Sequence, residues 1–281
     1  MKKKQVKNKK PSRIVSRGKV RSRPVQRKKV SVKGSNELKR LFFDIETSFN
    51  IVASWNVGYK LNLSHDTILK ERAIICICYK WANESKVHYL KWDKGDDKAM
   101  LQKFMKIIGD ADQIIGHNGD AFDLKWLKTR AIKHGIDAFP SYDTIDTLKL
   151  SRQGFRFNSN KLDYIGQFLG VGKKMKTGGF DLWKDIILRN DPEAMDKMIK
   201  YCIQDVKLLE LVFNKLNPYV KSKTHVGMML GGDKCSCPEC GSTKYSISKR
   251  RMTATGIKKI QLQCLDCGKY NTVNENLLTK T

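Results

Sequence analysis

The chain has 281 residues, 40% of them apolar, with 55 Lys and Arg against 28 Asp and Glu, a formal net charge of +27. That length allows one sizeable core plus a small second module, and no run of about 18 apolar residues marks a membrane-spanning helix. A basic start with no apolar stretch behind it argues against a secretory signal, and five of the eight cysteines crowd into residues 235–267, which points to metal rather than a disulfide framework.

Residues 1–36 hold 15 Lys and Arg and no acidic residue, with no strand or helix periodicity, which predicts a disordered basic tail. Residues 37–220 are nearly balanced, at 29 basic against 24 acidic, and residues 221–281 carry 11 against 4. Such blocks attract polyanions, nucleic acid first among them, with a merely solubilising tail as the alternative. The cysteine clustering, read as metal rather than disulfides, fits a reducing intracellular setting, cytoplasmic or nucleoid, or nuclear in a eukaryote.

The first strand is expected at 40–47, "RLFFDIET". It places Asp44 and Glu46 on one face, about 7 Å apart along the chain, with Phe43 and Ile45 on the other. At an effective dielectric of about 20, two carboxylates ~6 Å apart repel by roughly 2–3 kcal/mol, so this strand raises an electrostatic question. Two β-rich runs follow at 73–81 and 86–92, separated by the turn signal "ANES". A helix is expected over 96–108, a short strand over 113–118, and a helix over 120–135 closed by Gly135. Asp191-Pro192 reads as a cap and first position of a long helix ending near Leu216, before Asn217-Pro218. Three strands, then alternating helix and strand, then a closing helix define an α/β domain with a mixed sheet over residues 37–220. Residues 221–234 read as a linker and 235–281 as a separate cysteine-bearing unit.

Asp123 falls on the 120–135 helix, and Tyr201 and Asp205 share a face of the long helix one turn apart. Convergence of Asp44, Glu46, Asp123 and Asp205 is self-repelling without cations. Hard oxygen donors with no His or Cys beside them favour two Mg²⁺ or Mn²⁺ ions, which also supply phosphodiester hydrolysis. Tyr201 is placed to orient the attacking water. Taken singly, each residue reads more readily as structural; their order and context in the chain carry the argument.

That order resembles a known family. "FDIET", "GHNGDAFDLKWL" and "YCIQDVKLLELV" resemble the three motifs of the DEDD 3′–5′ exonucleases, and most of all the proofreading domain of family B DNA polymerases. The likeness covers residues 38–217 and runs through "DTLKLSR" and "KLDYIGQFLGVGKK". It implies an RNase H-like fold with a five-stranded mixed sheet, two catalytic Mg²⁺ or Mn²⁺ ions, and release of nucleoside 5′-monophosphates from a 3′ end. By position, Asp44, Glu46, Asp123 and Asp205 would hold the metals. Tyr201 would place the chain in the tyrosine branch, because the histidine of the other branch is replaced by Lys200; His117 is read as structural or substrate-adjacent. The same carry-over makes Thr47 and Asn118 contacts of the terminal nucleotide. Phe155, Arg156, Phe157, Lys173 and Lys174 are candidates for guiding a single strand by stacking and phosphate contact, although core packing beside a solvated lysine loop accounts for them equally well. No polymerase region accompanies the motifs, so a stand-alone exonuclease acting on single-stranded DNA is expected. An exoribonuclease with the same mechanism, and a non-catalytic nucleic-acid-binding protein on a decayed exonuclease fold, are the alternatives.

The C-terminal unit has two Cys-x-x-Cys-Gly knuckles, Cys237/Cys240 and Cys264/Cys267, and four thiolates so spaced suit one structural Zn²⁺ in a zinc ribbon. A redox-active pair is the alternative reading. Cys235 is left over, and Cys76, Cys78 and Cys202 are expected in the core. Lys249, Arg250, Arg251, Lys258 and Lys259 surround the expected hairpin and suit nucleic acid, while a replication or repair protein is the other partner such a ribbon could take.

Overall fold

A computed structural model describes residues 38–58, 60–137 and 143–278; the expected basic tail at 1–36 lies outside the described residues. Strand β1 (Arg40–Thr47) is the middle of a five-stranded sheet. Strands β2 (Ile51–Val52) and β3 (Ile68–Lys70) form a small separate hairpin that the sequence pattern did not reveal. Strands β4 (Ile74–Trp81) and β5 (His88–Lys91) continue the main sheet antiparallel on one side of β1. On the other side, β6 (Gln113–Gly116) and β7 (Asp143–Asp146) run parallel to it, giving the order β5-β4-β1-β6-β7 and the expected mixed sheet.

Helix α1 (Lys98–Gly109) precedes β6 and α2 (Asp123–Lys133) follows it. Beyond β7 come α3 (Thr147–Gly154), α4 (Leu162–Phe168), α5 (Phe180–Arg189) and the long α6 (Pro192–Leu216). The side-chain alternation of β1 divides the core into two layers. Phe42 meets Phe213 of α6 edge-on, with ring centroids 5.5 Å apart, whereas Phe43 packs on Phe104 of α1 at 5.7 Å. Asp44 and Glu46 share the Phe42 face and are therefore directed towards α6.

Helix α6 begins where its sequence says it should. The Asp191 side chain accepts from the N–H groups of Glu193 and Ala194, and Pro192 opens the helix. Its buried stripe runs through Met198, Ile199, Cys202, Val206, Leu209, Val212 and Phe213, and Asp205 occupies a position within it. Helix α2 starts later than the periodicity suggests, at Asp123 itself. Asn118 adopts φ +65 in the preceding turn, and Gly116 and Gly119 cross so closely that a Cβ on Gly116 would lie 3.1 Å from the Gly119 Cα.

A buried polar cluster braces the rear of the sheet. Asp97 accepts from Arg130 through both carboxylate oxygens (2.7 and 2.8 Å), from the Ile74 N–H (2.9 Å), and contacts His134 at 2.6 Å. Burial opposes its charge, but these donors hold its carboxyl below the usual range. The cluster ties α1, β4 and α2 together, and so fixes the helix that begins with Asp123.

After α6 the chain passes through the short α7 (Val226–Met229), whose first N–H groups donate to the carbonyls of Pro238 and Cys237. A three-stranded antiparallel sheet of β8 (Tyr245–Met252), β9 (Lys258–Cys264) and β10 (Tyr270–Asn274) follows, in the order β10-β9-β8. It has its own small core of Cys235, Ile260, Leu262 and Val273.

Candidate active site and cysteine centre

Carboxylate oxygens of Asp44, Glu46 and Asp205 lie within 4.8 Å of one another, gathered from the middle strand and the long helix. Asp123 stands at the flank, where its Oδ1 accepts the Ile45 N–H at 3.1 Å across β1. Asp123 and Asp205 are almost fully buried, with 3% and 1% of their surface exposed. Burial, reinforced by Asp123, Glu46 and Asp205, holds Asp44 well above the usual carboxylate range. Burial and the neighbouring Asp205 push Glu46 up to about 8, and burial pushes Asp123 up to about 7. Burial also raises Asp205, against the opposing pull of Lys174. All four shifts have the sign of a carboxylate group built for cations.

One cation comes from the chain itself. Lys174, in the loop between α4 and α5, reaches Asp205 Oδ2 at 2.6 Å and lies over the Tyr201 ring at 5.4 Å. Its backbone N–H donates to Asp163 on α4 at 2.7 Å, which fixes the loop. Burial opposes its charge, yet Asp205 raises its pKa overall. Asp205 Oδ1 is nevertheless buried without a hydrogen-bond partner among the described residues. An orphaned buried oxygen beside two further carboxylates fits a hard divalent cation. Asp44, Glu46 and Asp205 are the residues positioned to hold it, with Asp123 at the edge.

The Tyr201 hydroxyl is 3.4 Å from Lys174 Nζ, and burial together with Asp205 pushes its pKa up to about 12. It is a phenol at neutral pH, suited to orienting a water rather than removing its proton. His117 is pushed down to about 4 by burial and contacts the Thr147 hydroxyl at 2.9 Å, which makes it a neutral hydrogen-bonding group. A cleft of about 610 Å³ opens beside these residues, lined among others by His117, Asn118, Arg152, Asn160, Lys161 and Lys174.

The remaining sequence candidates are dispersed. Thr47 is buried; its hydroxyl accepts from Arg72 at 3.0 Å and its carbonyl from the Trp183 indole at 3.1 Å. Phe155 stacks on Phe157 at 5.3 Å and packs against the main core, while Arg156 and Lys173 are exposed. Arg72, Trp183 and Asp146 were not singled out from sequence. Asp146 caps α3 and accepts the Asn118 N–H at 2.8 Å; an Asp directly before a helix was the available signal for it. Arg72 and Trp183 had none, because both act across long sequence separations. The thiols of Cys76, Cys78 and Cys202 meet in the core behind Asp44, fully buried.

In the second centre, the sulfurs of Cys237 and Cys267 are 3.5 Å apart and those of Cys240 and Cys264 3.6 Å, with all four within 4.8 Å. Tetrahedral zinc with bonds of about 2.3 Å needs sulfurs roughly 3.8 Å apart, so the arrangement fits. Gly241 and Gly268 follow the knuckles at φ +76 and +73 and donate back to the Cys237 and Cys264 carbonyls, closing each turn. Cys235 is outside the four-sulfur group, in the small core beneath it.

Residues 66–217 match the RNase H superfamily, and the chain belongs to that superfamily. The matched span includes Asp123, Tyr201 and Asp205 and begins after Asp44 and Glu46. A DNA polymerase of Pyrococcus glycovorans is 32% identical over 165 residues, 55% of this chain and 17% of that protein. A DNA polymerase of Thermococcus hydrothermalis is 30% identical over 139 residues, 46% of this chain and 7% of that protein. This chain thus covers less than a fifth of either relative. The solved family B DNA polymerase of Pyrobaculum calidifontis superposes with a TM-score of 0.51 over 77% of this chain and 31% of that one; at 16% identity, that likeness concerns the fold alone.

Proposed function

We propose that the protein is a metal-dependent 3′–5′ exonuclease that hydrolyses the terminal phosphodiester of single-stranded DNA and releases nucleoside 5′-monophosphates. The gathering of Asp44, Glu46 and Asp205 oxygens within 4.8 Å is the observation that carries this reading. The motif likeness to polymerase proofreading domains supports the 3′–5′ direction and the choice of DNA, and the DNA polymerase relatives support the choice of DNA. When bound, two Mg²⁺ or Mn²⁺ ions supply a more acidic water and offset the charge on the leaving oxygen.

The chain's own residues do the rest. Asp44, Glu46 and Asp205 would hold the cations, and Asp123, anchored on the Ile45 N–H, would complete the set. Tyr201 keeps its proton and aligns the water for in-line attack. The new bond joins that water oxygen to phosphorus, the P–O3′ bond breaks, and the shortened strand leaves with a free 3′ hydroxyl. Lys174, held beside the carboxylates by Asp205, would give the scissile phosphate a positive neighbour. The cleft bordered by His117, Asn118 and Lys174 receives the terminal nucleotide, and Cys237, Cys240, Cys264 and Cys267 would hold one Zn²⁺ that stabilises the ribbon.

The test is digestion of 5′-labelled single-stranded DNA with Mg²⁺ or Mn²⁺, with matched RNA alongside. A ladder shortening from the 3′ end is expected, lost in Asp44→Ala, with DNA the faster substrate. Full activity in an Asp44→Ala/Asp205→Ala variant would overturn the assignment, and faster loss of RNA would overturn the choice of DNA.

A further inference from the structure

The three ribbon strands total 20 residues and hold five Lys and Arg but no Asp or Glu. Their register separates two faces. Ile260, Leu262 and Val273 point inward to the small core, whereas Arg251 faces Lys259, Lys249 faces Gln261, and Gln261 faces Thr272 on the outer side. Strand β8 is a sheet edge and is exposed along nearly its whole length. Arg251 and Lys259 are therefore like charges in direct cross-strand opposition, an arrangement that destabilises a sheet unless something anionic covers it. Arg250 reaches Glu275 at 3.5 Å, but among the described residues Lys249, Arg251 and Lys259 have no ion-pair partner. Tyr270, at the β10 end of the outer face, is 51% exposed. A face combining cations, amides and an exposed ring is suited to phosphates and unpaired bases.

The ribbon's position is fixed by buried polar contacts. Glu239 lies between Cys237 and Cys240, and its carboxylate takes Arg40 of β1 at 2.5 Å, Ser222 at 2.9 Å and Lys269 at 3.5 Å. Lys269, with a side chain 4% exposed, also donates to the Asn217 carbonyl at 2.7 Å. These contacts seat the ribbon at the Arg40 end of β1. Glu46 is six residues further along that strand, about 20 Å away at ~3.3 Å per residue.

We infer that the outer face of the ribbon sheet, centred on Lys249, Arg251, Lys259 and Tyr270, is a second nucleic-acid subsite that holds the substrate strand behind its 3′ end. The inference rests on the exonuclease reading for its orientation. At ~3.4 Å per stacked nucleotide, a strand needs about six nucleotides to span from Glu46 to the ribbon's seat, so the subsite acts only on longer strands.

The test compares the full chain with Lys249→Gln/Arg251→Gln/Lys259→Gln on single-stranded DNA of about 4 and about 30 nucleotides. Removing three phosphate-binding cations raises Kd and KM for the longer strand about tenfold, and lowers the slope of log Kd against log salt by roughly 2. kcat and the shorter strand's KM stay unchanged. Tyr270→Ala weakens the longer strand about fivefold, and Tyr270→Phe restores it. Should the triple variant lose its zinc, Lys259→Gln alone replaces it, with a slope change of about 0.7. Equal losses on both lengths, or an unchanged salt slope on the longer one, overturn the inference; the latter is the outcome for a surface that serves a protein. Kd is read by anisotropy without divalent cations. Length-dependent binding without turnover on metal addition would therefore sink the exonuclease reading and leave the subsite standing.

Discussion

The carboxylate cluster and the four-cysteine centre both gather like groups, but they do so by opposite means. Each cysteine pair arrives on a short turn with a glycine behind it, so the site is assembled locally and closed by four soft ligands. The carboxylates come from strand β1, the start of α2 and the middle of α6, and a packed core forces them together. The cysteine centre should therefore need a bound metal to fold, whereas the carboxylate site is built by the fold in spite of its own repulsion.

That contrast can be broken most sharply by removing one ligand from each centre. Asp205→Ala should cost about 10³-fold or more in kcat while the far-ultraviolet circular dichroism stays native. Cys264→Ser should lose the bound zinc, measured by elemental analysis, together with the ribbon's resistance to proteolysis, and leave residues 38–217 folded. If Cys264→Ser kept a protease-resistant ribbon, the claim that metal organises it would fail. Replacing Arg130 by Met strands Asp97 in the core and should cost about 3–5 kcal/mol in urea unfolding; a loss under about 1 kcal/mol would remove that cluster from the scaffold that positions Asp123.

A smaller effect carries the opposite sign. With divalent cations chelated, Asp44→Asn should raise stability by about 1–2 kcal/mol, because it removes one member of a repelling set, and should shrink the melting shift produced by Mg²⁺. The pH dependence follows from the same shifts. Glu46 and Asp123 titrate near 8 and 7 in the folded chain, above their ordinary values, so between about pH 4 and 8 the folded state binds more protons than the unfolded one. Stability of the chelated protein should fall as pH rises through that window, and added Mg²⁺ should restore more of it at pH 8 than at pH 5. A flat melting profile would mean that these carboxylates do not share a buried site. Tyr201→Phe should be the mildest catalytic lesion, about 10–100-fold in kcat, since the cations and carboxylates remain in place.

Local rules were enough to read part of this protein from its residues. Alternation in "RLFFDIET" assigned Asp44 and Glu46 to one face and Phe43 and Ile45 to the other; the Asp-Pro start fixed α6; the knuckle spacing selected four of the five C-terminal cysteines. Those features depend on periods of two and 3.6 residues or on a single turn, so a linear pattern contains them. Tertiary packing decided what the pattern could not express. It set Lys174 on Asp205 across 31 residues, gave Asp123 the Ile45 N–H across 78, and joined Glu239 of the first knuckle to Arg40 across 199. Such contacts have no sequence period, because they exist only once hydrophobic burial has brought distant segments to the same place.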